Sequence, residues 1–219
     1  MKLDRSIVTA AALALALAPA LVRAAPSNTA GGEWYMGLTV GSSNVGDTPD
    51  VVPLSGTTSS VLVSDQRDPG VKVLGGYRFN RHFAIEGGYA WLGEFQFSNQ
   101  ASAPAAGAQT AQSRVIGLFL DAVGLLPMGR GFTALAKVGV FGSEVRTLRT
   151  VTGGVIPAPG LSTTAYADEA NLRYGLGLQY DLSARATVRA EWERLVGVGS
   201  GQTGEVDLDV YSVGLILRF

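Results

Sequence analysis

The sequence predicts an all-β chain: eight antiparallel strands in up-and-down order, closed into a barrel that crosses a membrane. Three observations carry this. Apolar residues recur at every second position in eight segments, as strands with two distinct faces require. The bulky members of each segment share one series and the glycines and isolated charges share the other, which suits lipid outside and a lumen of side-chain width inside. The connections alternate long and short, so an up-and-down sheet would gather every long loop at one end and every short turn at the other.

The plainest segment is residues 70–95, GVKVLGGYRFNRHFAIEGGYAWLGEF. Val71, Val73, Tyr77 and Phe79 alternate with Lys72, Gly76 and Arg78. After the turn Asn80-Arg81-His82, Phe83, Ile85, Tyr89 and Trp91 alternate with Ala84, Glu86, Gly88 and Ala90. Two long strands in a hairpin follow from that pattern.

The first strand is expected over residues 33–42, with Trp34, Met36, Leu38 and Val40 on one face. Residues 43–68 are rich in Ser, Thr, Asp, Pro and Gly and predict a long polar loop, into which Val61, Leu62 and Val63 could extend a strand. The hairpin supplies strands two and three, and residues 96–113 predict a second long, low-complexity loop. Strand four, residues 114–126, sets Ile116, Leu118, Leu120 and Ala122 against Gly117, Phe119, Asp121 and Val123. A tight turn over 127–131 leads to strand five, residues 132–144, where Lys137 and Gly139 oppose Ala136, Val138 and Val140. Residues 145–170, broken by Gly153-Gly154 and Pro157-Ala158-Pro159-Gly160, predict a third long loop. Strands six (172–180) and seven (185–195) flank the short connection 181–184, and a fourth loop over 196–204 precedes the last strand, residues 206–219.

The bulky series also sorts its aromatic residues by depth. Trp34, Phe79, Phe83, Phe132, Tyr180 and Phe219 fall at the short-turn ends, whereas Trp91, Tyr174, Trp192 and Tyr211 fall toward the long-loop ends. Two girdles of this kind mark the two water interfaces of a membrane barrel. Closure is a physical requirement there, because an open sheet edge in hydrocarbon leaves backbone groups unsatisfied at several kcal/mol each.

Composition bounds the rest. The chain of 219 residues carries a formal net charge of -1, so nothing in its balance points to nucleic acid. Residues 1–24 place Lys2 and Arg5 before an apolar run and end in Arg23-Ala24, and read as a secretory signal peptide cut after Ala24. Residues 25–32 are expected as a tail and 33–219 as one barrel domain. No cysteine is present, so no disulfide framework holds the exported fold.

The stretch LGGYRFNRHFAIEGGYAWLG resembles the second hairpin of the OmpA-like transmembrane barrel family, and ATVRAEWERL at 186–195 resembles its seventh strand. GLGLQYD at 175–181 and the terminal YSVGLILRF are similar to the same family, so the resemblance spans roughly 33–219. It implies an outer-membrane barrel of a bacterial cell. No segment corresponding to the family's peptidoglycan-binding domain follows, so cell-wall anchoring is not expected. The terminal alternation Tyr211, Val213, Leu215, Leu217 and Phe219 resembles the signal read by the barrel assembly machinery.

An eight-stranded barrel is filled by its own side chains, so the lumen is expected to be a polar core and not an open channel. Glu86, Asp121, Lys137 and Arg189 lie at similar heights on the inward series and are expected to neutralise one another in one layer. Glu86 and Arg189 also match the inward Glu and Arg whose salt bridge the resembling family uses as a gate. Arg78, Asp181 and Arg218 near the turns, and Lys72, Arg173, Glu191 and Glu193 higher up, are expected as rim or packing charges.

Catalysis finds no support in the pattern. His82, the lone histidine, falls in a short turn, and no His or Cys cluster offers a metal site. No cofactor is expected. The leading reading is a non-enzymatic, monomeric outer-membrane protein in contact with lipid, with structural or surface-interaction roles through loops 43–68, 96–113 and 145–170. A narrow gated ion pore and a soluble secreted barrel binding an apolar ligand are the alternatives.

Overall fold

Each alternating segment forms a strand, and most strands outrun the apolar run that announced them. The computed structural model describes residues 32–45, 54–55, 59–65, 67–103, 106–154, 156–157, 162–200 and 205–219. The expected signal peptide and all but the last residue of the tail lie outside them. Eight strands make the barrel: β1 (Glu33–Val45), β2 (Arg67–Asn80), β3 (Phe83–Ala103), β4 (Gly107–Gly129), β5 (Phe132–Gly153), β6 (Thr164–Asp181), β7 (Ala186–Val198) and β8 (Val206–Arg218). Every strand pairs antiparallel with its sequence neighbours, and β1 closes the ring on β8 through Met36↔Leu217, Leu38↔Leu215 and Val40↔Val213. No barrel strand is left with a free edge at membrane depth.

The short turns are locally specified. Asn80 Oδ1 accepts hydrogen bonds from the backbone N–H of His82 (2.8 Å) and Phe83 (3.0 Å), which turns β2 into β3. Between β4 and β5, Gly129, Arg130 and Gly131 all have positive φ (85°, 55° and 83°), a run that two glycines make affordable.

The outward series is apolar through the middle of the ring. Leu118, Trp34, Leu176 and Leu120 are all more than half exposed, at 66%, 62%, 58% and 57%. The inward series there mixes glycine and buried charge with smaller numbers of apolar residues such as Phe119, Val123 and Leu135. A soluble barrel holding an apolar ligand needs the opposite arrangement, and that alternative is set aside. Both expected girdles form: Trp34, Tyr77, Phe79 and Phe83 meet in sequence with centroids 4.9, 4.9 and 5.6 Å apart, tilted, edge-on and stacked in turn, and Phe132 meets Tyr180 at 4.7 Å. At the other rim Tyr174 meets Trp192 at 6.1 Å.

The expected loops need correction. Within 96–113, residues 96–103 and 107–113 continue the hairpin of β3 and β4, paired from Phe95↔Ser113 to Ala101↔Gly107, where a loop was expected. Much of 145–170 likewise belongs to β5, which runs to Gly153, and to β6, which starts at Thr164. Within 43–68, Ser59–Asp65 forms a strand along the far part of β3, with Val61↔Gln100, in line with the expected extension. The physical reason is that these stretches alternate with low contrast. Phe95, Phe97, Ala111, Val115 and Val145 face inward, while Gln96, Ser98, Gln112, Arg114 and Glu144 face out. Water is the neighbour outside at this height, so the outward residues are polar and the familiar strand signal is muted.

The barrel is therefore lopsided. With about 3.3 Å per residue and a tilt near 40°, the 13 residues of β7 rise about 33 Å, close to a hydrocarbon core of about 30 Å. The 23 residues of β4 rise on the order of 58 Å by the same geometry, so roughly half of that strand stands above the lipid. The outward charges Glu94, Arg114, Glu144, Asp168, Arg194 and Asp209 begin where the apolar belt ends.

Candidate functional site in the barrel lumen

The middle of the lumen holds eight charged side chains. Lys72, Lys137, Arg173 and Arg189 face Glu86, Asp121, Glu191 and Glu193, and all eight are 5% exposed or less. Four positive and four negative charges leave the layer neutral. β3 and β7 stand diametrically opposite in the ring, and Glu86 Oε1 accepts a hydrogen bond from Arg189 Nη1 at 2.5 Å straight across it. Tyr35 Oη donates to the same carboxylate at 2.8 Å.

Lys137 Nζ lies 2.5 Å from Glu193, 2.7 Å from Glu191 and 4.0 Å from Glu86. Lys72 bonds Glu193 and stands 3.2 Å from Glu191. Arg173 bonds Glu193, reaches Asp121 at 3.6 Å, and lies over the Phe119 ring at 4.0 Å. Arg189 also approaches Glu191 at 3.5 Å. Each cation therefore faces at least two acids. A buried ion is tolerated only when opposite charge and hydrogen bonds replace its hydration; mutual pairing supplies the opposite charge to all eight, while Asp121 has no hydrogen bond on either carboxylate oxygen and relies on Arg173 at 3.6 Å.

The four residues expected in one layer, Glu86, Asp121, Lys137 and Arg189, do converge. Of the two roles expected for the other four, rim or packing charges, burial leaves the second: Lys72, Arg173, Glu191 and Glu193 join the same network, with Glu193 at its centre. Counting residues up from a turn ignored the stagger between tilted strands and the reach of long side chains across the lumen. A usable signal was present in the glycines. Asp121 and Arg173 are both register partners of Gly139, Lys137 and Glu193 of Gly175, Glu191 of Gly177, Arg189 of Gly214 and Glu86 of Gly76. A Cβ on Gly139 would run into the Leu120 carbonyl and the Asp121 carboxylate, so the glycine makes room for the charge beside it.

Above the charges the lumen changes character. Leu92, Phe95, Phe97, Phe141, Leu195 and Leu208 pack there with at most 2% exposure each. The long-loop side thus mixes these apolar side chains with buried polar ones, Gln109, Ser113, Ser143, Thr147 and Asn171, among which Ser113 meets Thr147 at 2.9 Å and Ser143 meets Asn171 at 2.6 Å. Below, Arg218 bonds Asp181 at 2.5 Å and Thr187 Oγ1 at 2.6 Å near the short turns. The terminal series Tyr211, Val213, Leu215, Leu217 and Phe219 faces outward on β8. His82 sits in the β2–β3 turn, with Nδ1 3.2 Å from the Leu125 carbonyl and Nε2 accepting from Arg81 Nε at 2.9 Å.

An apolar belt between aromatic girdles, closed backbone pairing and a self-neutralising lumen define a membrane-spanning barrel of the outer-membrane kind. The chain belongs to the outer membrane protein beta-barrel domain family, which it matches over residues 8–219, and its place is the bacterial outer membrane. No curated protein matches it. Among solved structures, the outer membrane protein AlkL in lipid bilayers is similar in fold, with a TM-score of 0.51 at 15% identity over 91% of this chain and 97% of that one. OprG of Pseudomonas aeruginosa aligns with a TM-score of 0.49 at 18% identity, over 86% of this chain and 96% of its own. The attachment invasion locus protein Ail of Yersinia pestis, solved with the heparin analogue sucrose octasulfate, aligns with a TM-score of 0.48 at 14% identity, over 86% of this chain and 99% of its own.

Proposed function

We propose that this barrel is a sealed, non-enzymatic platform that lifts a surface for interaction above the outer membrane. The observation that carries the reading is the continuous pairing of β3 through β6 well beyond the lipid belt, where outward residues turn polar. Sheet of that height is not needed to cross the bilayer, and segments that stand clear of a rigid scaffold are where recognition concentrates. The packed layer over the neutral charges supports a closed lumen.

The test pairs two measurements on cells and on purified protein. Cells displaying the full protein should adhere or aggregate, and replacing Gln96–Gln112 by a short turn should abolish this while leaving the barrel inserted and heat-modifiable on gels. A trimmed barrel that adheres as well as the full one removes the platform reading. In planar bilayers the intact protein should pass no steady current.

A second reading, a gated pore, has one specific observation in its favour: every lumen cation has a second acid in reach. Glu86→Ala should then raise conductance over the native protein. Silence in both proteins removes the gate. Export through a signal peptide cut after Ala24, and recognition of the Tyr211-to-Phe219 alternation by the assembly machinery, complete the proposal. Phe219→Ala is expected to lower the outer-membrane yield without changing the stability of the protein that does assemble.

A further inference from the structure

At the short-turn end, beneath the charge layer, a cavity of about 20 Å³ opens between Arg78, Arg189, Arg218, Gln179, Thr187 and Tyr35, with room for a single small guest. Its chemistry is one-sided. Arg78 and Arg218 each keep a buried Nε–H without an acceptor, and Arg78 has no ion pair among the described residues. Two of the side-chain acceptors around it, on Gln179 and Thr187, are already engaged, and the Tyr35 hydroxyl is turned to Glu86. Gln179 Oε1 takes the Nε–H of Arg189 at 3.3 Å, and Thr187 Oγ1 takes an Nη2–H of Arg218 while donating to Asp181 at 2.8 Å.

The acids at this end are accounted for as well. Glu86 is bonded to Arg189 and Asp181 to Arg218. Glu33, the register partner of Arg78 on β1, shares the mouth but makes no ion pair with it. A guest must therefore accept hydrogen bonds from both guanidinium groups, and a small anion does so more strongly than water because it carries full negative charge.

We propose that this cavity is a binding site for a small inorganic anion of chloride size, held by the guanidinium groups of Arg78 and Arg218. The anion would supply the negative charge that no carboxylate delivers to Arg78 within bonding distance. Arg189 forms part of the same wall, so the bound anion would touch the base of the Glu86–Arg189 bridge. The mouth differs from the layer above it in pairing: its charges balance in number, Arg78 and Arg218 against Asp181 and Glu33, but no carboxylate among the described residues lies within bonding distance of Arg78.

The test compares the refolded barrel in sodium chloride and in sodium gluconate at equal ionic strength, since gluconate is too large to enter. Chloride should raise the unfolding midpoint saturably, by about 3–6 °C at ten times the half-saturating concentration. Arg78→Gln should abolish that rise. Should that variant not fold, Leu125→Phe, which narrows the cavity and keeps every charge, should abolish it too. Crystals soaked in bromide should give an anomalous peak between Arg78 and Arg218. Equal midpoints in the two salts, a chloride response that survives the variants, or ordered water alone at that position would each overturn the site.

Discussion

The two halves of this barrel obey opposite rules with one and the same alternation. In the membrane half, Leu118 and Leu120 of β4 face out while Asp121 faces in; in the raised half of that strand, Gln112 and Arg114 face out while Ala111 and Val115 face in. The phase of the strand never changes. What changes is the solvent outside, and the interior answers in part: the full charges sit behind lipid, whereas behind water Phe95, Phe97 and Phe141 interleave with neutral polar residues such as Gln109, Ser113 and Asn171. A side chain's place is thus set by what the strand must offer its surroundings, and the lumen takes whatever remains and must neutralise or pack it.

The comparison breaks hardest at Glu193, which three cations share in the charged half. Glu193→Ala leaves buried positive charge uncompensated and is expected to cost about 3–5 kcal/mol, read as a lowered midpoint in urea for the refolded barrel. Removing opposite charges together should be far milder. Glu86→Leu with Arg189→Met exchanges an ion pair for hydrocarbon of similar bulk, and a cost well under the sum of the single substitutions is expected from a double-mutant cycle. If the double variant is as damaged as the sum, the charges act singly and the picture of a mutually neutral layer fails.

In the half above the charges, Leu195→Ala should cost about 2–5 kcal/mol through lost burial and the cavity left behind. That loss should not depend on salt or on any lumen charge. It should also let water reach the charge layer from the long-loop side, so faster amide exchange in β7 near Leu195 is the accompanying expectation.

How much of this was legible follows from the same contrast. The membrane half was readable residue by residue, because lipid forces Leu, Val and aromatic residues onto alternate positions and leaves glycine and charge between them, as at 70–95. The convergence of Glu86, Asp121, Lys137 and Arg189 was readable for the same reason. The raised half was not. Between 96 and 113 the inward positions are held by Phe97, Asn99, Ala101 and Ala111 and the outward ones by Gln and Ser, a contrast too shallow to separate a strand from a polar loop. The roles of Lys72, Arg173, Glu191 and Glu193 were hidden differently. Their strand and face were correct, and only the stagger of the ring, which no single strand encodes, brings them to one depth.

The smallest effect is the sharpest test of where one rule gives way to the other. Leu118 and Gln112 lie six residues apart on the outward series of β4, so any difference between them reports their depth and nothing about their strand. Leu118→Arg puts a charge against hydrocarbon and is expected to cost about 2–4 kcal/mol near the bilayer midplane. Gln112→Arg meets water and should stay within about 0.5 kcal/mol of the native protein. Stepping the arginine through 116 and 114 should trace the fall between those limits, and position 114 already carries one. A cost at 112 as large as that at 118 would mean that the raised sheet is itself immersed in lipid. Gln96, Ser98 and Gln100, the neighbours on β3, would then be polar groups without water, an arrangement the hydrocarbon does not permit.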